Sequence, residues 1–162
     1  MDYKTVKIMY YTNFLSVLKY GIIFWGGNSN IQKIFIGQKR FLRTIKNMQF
    51  RVRCRGVFKS EGLMTVYGVY LYESLVFFFK NRESFELRVI HEYNTRTLNV
   101  TYPVHRLALT EKSPIYMCLK LFNKLPHNIQ EINSFKVFKH KIKTLIINLE
   151  PYSVKEFLEE SF

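Results

Sequence analysis

The spacing of apolar and polar positions predicts helices along most of the chain. Residues 4–20 read as a helix closed by Gly21, because glycine takes the left-handed conformation at a helix end without steric cost. Gly26-Gly27-Asn28-Ser29 reads as a turn, with Ser29 placed to cap the next helix. Residues 30–46 carry the clearest amphipathic pattern. On a helical projection Ile31, Ile34, Phe35, Phe41, Leu42 and Ile45 fall within a sector of about 120°. Lys33, Lys39, Arg40, Arg43 and Lys46 occupy a separate sector of about 140°, which Ile36 shares. Gly37 weakens this helix by ~1 kcal/mol relative to alanine. Residues 65–80 differ in kind: between Thr65 and Phe79 the only charge is Glu73. A helix apolar on all sides is a buried one, so this segment is expected to be the central core helix.

Beyond it, residues 83–112 form a polar connector in which at most two short strands fit, at 89–90 and 98–102. Ser113-Pro114 pairs an N-cap residue with proline at the first helical position, opening a helix to about residue 124, and Pro126 stops it. Ser134 opens another, in which Phe135, Phe138, Ile142, Leu145, Ile146 and Leu149 span about 100° and Lys136, Lys139, Lys141 and Lys143 flank them. Ser153 and Glu156 form a capping box for a short last helix. The expected fold is mostly α, divided into a basic helical subregion at 1–82, the connector, and a C-terminal helical subregion at 113–162.

Composition sharpens this picture. The 162 residues suit one domain, and a 48% hydrophobic content with 27 aromatics (15 Phe, 11 Tyr, 1 Trp) argues against wholesale disorder. Asp2 is the only aspartate. Two-metal polymerases and nucleases need clustered carboxylates, mostly aspartates, around Mg²⁺, so that chemistry is excluded from this chain. Cys54 and Cys118 form no C-x-x-C, and His91, His105, His127 and His140 show no ligand spacing. Neither a metal site, nor another cofactor, nor a disulfide framework is expected. No apolar run exceeds the seven residues 21–27, against the ~18 a membrane span needs. A signal-peptide reading of residues 4–18 fails because Thr12, Asn13 and Ser16 interrupt the apolar stretch and no small-residue cleavage site comes after it. The chain is expected to be soluble and intracellular, with nucleus and cytoplasm undistinguished.

Charge points to a partner. There are 25 Lys+Arg against 12 Asp+Glu, a formal +13, and residues 3–60 hold 12 of the cations with no acid at all. Residues 150–162 run the other way, with Glu150, Glu156, Glu159 and Glu160 against Lys155. After the five cations of the amphipathic helix, Arg51, Arg53 and Arg55 alternate; in an extended segment they would share one face. Guanidinium forks pair phosphate oxygens bidentately, and Phe41, Phe50 and Phe58 are placed to stack on unpaired bases. Cations on the outer face of an amphipathic helix are ordinarily just solvated. Ordinary solvated surfaces mix signs, however, and this stretch does not. Lys33, Lys39, Arg40, Arg43, Lys46, Arg51, Arg53 and Arg55 are therefore the expected nucleic-acid-binding residues. Catalytic groupings are sparse: Glu83 with Glu86, Glu156 with Glu160, and His105-Arg106 are better read as solvated or structural groups. There is no P-loop, G-x-S-x-G or Rossmann fingerprint, so no enzyme is expected.

Several short motifs carry a resemblance. Tyr20-Gly21-Ile22-Ile23-Phe24-Trp25-Gly26 is followed in order by Gln38-Lys39-Arg40, Ile45, Cys54-Arg55, Phe58-Lys59, Tyr93-Asn94-Thr95-Arg96 and His105-Arg106. Ser113-Pro114-Ile115-Tyr116, Leu121-Phe122-Asn123-Lys124-Leu125-Pro126 and Phe135-Lys136 complete the set. Together they resemble the region after the polymerase core of non-LTR (LINE-like, Jockey-type) retrotransposon reverse transcriptases. The resemblance implies a parent polyprotein with an endonuclease and an RNA-directed DNA polymerase, of which this chain looks like the thumb and C-terminal extension. Its implied role is to grip a template–primer duplex of RNA and/or DNA. The catalytic palm with its Tyr-x-Asp-Asp turn is absent, as are the endonuclease and a Cys/His knuckle. The chain thus reads as a truncated copy without catalysis of its own. The alternative is a helical interaction fragment that docks on a polymerase palm or another chain.

Overall fold

The computed structural model describes residues 3–84, 102, 106–111 and 113–162. Among these every regular element is helical, so the mostly α fold expected from the apolar spacing is what forms. The anticipated strand residues 89–90 and 98–101 lie outside the described residues.

The chain opens with a rod made of α1 (Tyr3–Met9), a π-helical turn (Tyr10–Leu15) and α2 (Ser16–Lys19). Gly21 ends it at φ 65°, the left-handed conformation expected there. A short α3 (Ile22–Trp25) comes next, which the turn-rich sequence did not suggest. It exists because Ile22 is wholly buried and because Gly26 lets the chain pass against Tyr70; a Cβ on Gly26 would meet the Tyr70 ring and sit 2.6 Å from the Ile22 carbonyl oxygen.

The amphipathic helix α4 spans Ile31–Ile45 and buries Ile31, Phe35, Gln38 and Leu42. Ser29 does not cap it. Its hydroxyl donates to the Asn28 side-chain oxygen at 3.1 Å, which also accepts from the Asn30 amide at 3.3 Å, and α4 starts without a side-chain cap. Beyond α4 come an irregular segment and the single turn α5 (Val57–Ser60).

Helix α6 (Val66–Lys80) is the axis of the molecule, with 11 of its 15 residues buried. Thr65 caps it by accepting from the Gly68 amide at 2.9 Å, and its hydroxyl donates to the Pro151 carbonyl at 2.6 Å. The first turns of α6 (Val66, Val69, Tyr70) complete a core with Tyr10, Leu18, Ile22, Phe35, Leu42 and Phe58. Its later turns, from Leu71 to Phe79, complete a second core with helices α8 (Pro114–Asn123) and α10 (Phe135–Leu149). Each fully buried Leu or Phe here removes enough apolar surface from water to contribute about 1.5–3 kcal/mol.

The connector supplies α7 (Ala108–Glu111), which packs on α8, and Tyr102, whose ring stacks on Tyr116 at 5.0 Å. Ser113 caps α8 through the Tyr116 amide, as its pairing with Pro114 predicts. After Pro126 a single turn, α9 (His127–Gln130), leads to α10, which starts at Ser134 without a capping bond from that hydroxyl. The last helix, α11 (Val154–Glu159), begins with Ser153 accepting from the Glu156 amide at 3.0 Å. The return arm of this capping box is displaced by one residue: Glu156 accepts from the Tyr152 amide at 2.7 Å.

Candidate nucleic-acid interface

Burial of the Ile31–Phe35–Leu42 stripe fixes the rotation of α4 and turns its basic sector outward. Lys33, Arg40 and Lys46 are exposed, whereas Lys39 and Arg43 are half-buried. Lys39 lies over two rings, with its ammonium 4.5 Å from the Phe35 centroid and 5.8 Å from that of Tyr152. Arg43 donates from Nε to the Val52 carbonyl at 3.0 Å and ties the next segment to the helix. Lys46 pairs with Glu61, which Lys7 also approaches at 3.8 Å.

The next three arginines are arranged differently from their sequence alternation. Residues 47–56 are irregular, with Asn47 at φ 48° and a turn closed by the Val52 amide on the Gln49 carbonyl at 3.1 Å. No strand forms here, so period-two spacing does not align the guanidinium groups on one face. Arg51 and Arg53 are exposed and make no ion pair among the described residues. Arg55 turns to the C-terminal segment. Its Nη2 lies 2.8 Å from the Glu156 carboxylate, and its guanidinium sits 4.4 Å from the Tyr152 ring centroid.

Two of the three phenylalanines expected to stack on bases are core residues instead. Phe58 is wholly buried, and Phe41 stacks on Tyr10 at 5.3 Å. Phe50 alone of the three is open, 70% exposed and 6.0 Å from the Arg43 guanidinium.

Three groups at or beneath this surface escaped the sequence reading. Gln38 sits on the buried face of α4 with its hydrogen bonds made: Nε2 donates to the Tyr10 hydroxyl (2.7 Å) and the Met64 carbonyl (2.9 Å), and Oε1 accepts from the Val66 amide (2.9 Å). It ties the rod, α4 and the start of α6 together. The available signal was its position, three residues after Phe35 and four before Leu42. Glu150 had no such signal. It ends α10 at φ 48°, is buried, and accepts from the Gly56 amide at 2.6 Å. Tyr152 donates to Glu150 at 3.4 Å; burial, the Glu150 charge and Cys54 push its hydroxyl well above the ordinary tyrosine range, against the opposing pull of Arg55.

The acid-free stretch of sequence is therefore not acid-free in space. Glu61, Glu73 and Glu156 approach Lys7, Lys46, Lys19 and Arg55 from outside it. Lys33, Lys39, Arg40, Arg43, Arg51 and Arg53 make no ion pair with a carboxylate among the described residues. They lie on one helix and the segment that Arg43 fastens to it. Such an arrangement suits a polyanion that runs along a surface.

Other chemistry finds little support among the described residues. No group of three His, Cys, Asp or Glu side chains is placed to hold a metal ion. Cys54 and Cys118 are free and buried, and burial pushes the Cys118 thiol up to about 12, which keeps it protonated and unreactive. Glu156 is occupied by Arg55 and the Tyr152 amide, while Glu160 is exposed at the end of α11. Glu86 and His105 lie outside the described residues. No described helix is long and apolar enough to cross a membrane. Comparison with known protein families, with curated proteins and with solved structures finds no match.

Proposed function

We propose that this chain is the thumb and C-terminal extension of a non-LTR retrotransposon RNA-directed DNA polymerase without its catalytic palm. On this reading it binds template–primer nucleic acid, RNA and/or DNA, inside the cell and performs no catalysis alone. One observation carries the binding: six cations of α4 and the segment after it stand without a carboxylate partner among the described residues, beside an exposed Phe50. The ordered motifs from Tyr20 to Lys136 support the parentage. Phosphate neutralisation by Lys and Arg supplies most sequence-independent affinity, so no base-reading device is required of the surface.

Duplex binding by the natural chain and by a Lys33→Glu, Arg40→Glu, Arg51→Glu, Arg53→Glu variant tests the binding claim. All four side chains lie at the surface, so the variant keeps the fold, and it is expected to lose primer–template binding at low salt. Equal binding by the two proteins would refute the assignment. The parentage has its own test in the nucleotides upstream of the Met1 codon. An in-frame or decayed palm sequence with two adjacent aspartates is expected there, and unrelated sequence would refute it.

A second reading, docking on a polymerase palm or another chain, is favoured by a different observation. The N-terminal rod and α3 expose Ile8 (61%), Val17 (71%), Tyr20 (87%) and Phe24 (80%). Exposed apolar groups that form one contiguous patch mark interaction surfaces. Gel filtration over a range of concentrations checks it: a clean monomer that binds no hydrophobic dye would count against docking.

A further inference from the structure

A cleft of about 170 Å³ lies between the π-helical turn, α2, residues 62–64, α6 and α10. We propose that it holds one single-ring base of an unpaired strand that continues from the duplex assigned above, on which reading this inference rests.

Size is the first argument. A protein cavity of about 150 Å³ takes up one benzene molecule, so this cleft has room for a six-membered ring. Its walls are the second. Tyr11, Leu15 and Tyr72 offer an aromatic and aliphatic lining suited to the faces of a base. Tyr11 is 43% exposed, so its ring is open to a ligand. Tyr10 also lines the cleft, its buried hydroxyl held by the Gln38 side chain at 2.7 Å.

The third argument is charge. Lys19 and Lys143 stand at the cleft, contributed by α2 and α10. Glu73 neutralises Lys19 at 3.1 Å and Tyr72 lies 5.7 Å beneath its ammonium, so Lys19 is held in place as part of the wall. Lys143 is exposed and makes no ion pair among the described residues, leaving one net positive charge for the phosphodiester of a base seated below it. The local backbone is unusual as well. The π turn, in which the Thr12 hydroxyl donates back to the Ile8 carbonyl at 3.0 Å, sets Tyr10 and Tyr11 edge to face beside the cleft. Single π turns inside helices recur at functional sites.

The test uses the full chain and four ligands: a blunt primer–template duplex, the same duplex with a pyrimidine overhang, with a purine overhang, and with an abasic overhang. The pyrimidine overhang is expected to bind about tenfold more tightly than the abasic one, the scale of a single base–aromatic stack. Tyr11→Ala and Lys143→Glu should each remove that difference and leave blunt-duplex affinity unchanged. Equal affinity for pyrimidine and abasic overhangs overturns the pocket, as does a Tyr11→Ala loss shared equally by the blunt duplex. If the blunt duplex does not bind but the pyrimidine-overhang ligand still outbinds the abasic one, the pocket stands and the duplex grip fails.

Discussion

Gln38 shows how one buried polar side chain can hold separate segments in register. It makes three hydrogen bonds to three parts of the chain, and none of its polar atoms has solvent to fall back on. Replacing it with leucine keeps the volume but strands the Val66 amide and the Met64 carbonyl in the interior. A buried unsatisfied group costs ~1–3 kcal/mol, so Gln38→Leu is expected to lose about 2–4 kcal/mol, read as a lower urea midpoint. Its partner Tyr10 gives a pH signature. Burial raises the Tyr10 hydroxyl to about 12, and that of Tyr70 likewise. The unfolded chain therefore gives up these protons near pH 10 while the folded chain still holds them. Stability is full below pH 10 and falls as pH rises from 10 towards 12, because in that window the unfolded state binds fewer protons. Thermal unfolding monitored between pH 9 and 12 should show this fall, and Tyr10→Phe should make it shallower.

At the scale of elements, the contact between the C-terminal segment and the basic loop decides how much of the interface is available. Glu156 holds Arg55, and Glu150 occupies the neighbouring Gly56 amide. The Arg55–Glu156 pair is partly exposed, so it contributes at most about 1 kcal/mol to folding. Glu156→Gln should thus leave stability nearly unchanged while releasing one more cation to phosphate. The expected outcome is tighter duplex binding with a salt slope steeper by about 0.9. An unchanged slope would show that Arg55 does not reach the nucleic acid.

The same scale shows what the sequence could and could not reveal. Helices α4 and α10 were legible because each repeats its apolar positions at helical spacing over fifteen residues, α6 because it is apolar on nearly every side, and the start of α8 because Ser113-Pro114 obeys local capping chemistry. Helix α3 was not, since four residues cannot establish a period and its reason for existing is a glycine packed against Tyr70. Arg51, Arg53 and Arg55 suggested a strand by alternation alone. Asn47 in the left-handed region and the Arg43–Val52 bond break that segment into turns instead. Glu150 meets Gly56 across 94 residues, and no local pattern records such a contact.

Over the whole molecule, α6 joins two cores, and the charge is redistributed by folding. The formal +13 is concentrated in residues 3–60, but the acids that answer it arrive from Glu61, Glu73 and the C-terminal helix. Four of the twelve cations are answered among the described residues, and six of the other eight form a narrower positive surface on α4 and the segment behind it. We propose that this surface binds the phosphates of a template–primer duplex. The most direct measurement is the dependence of duplex affinity on salt. If five or six of these cations displace counterions, log K against log salt should fall with a slope of about −4.5 to −5.4. A slope near zero, or no duplex binding at low salt, would contradict the account.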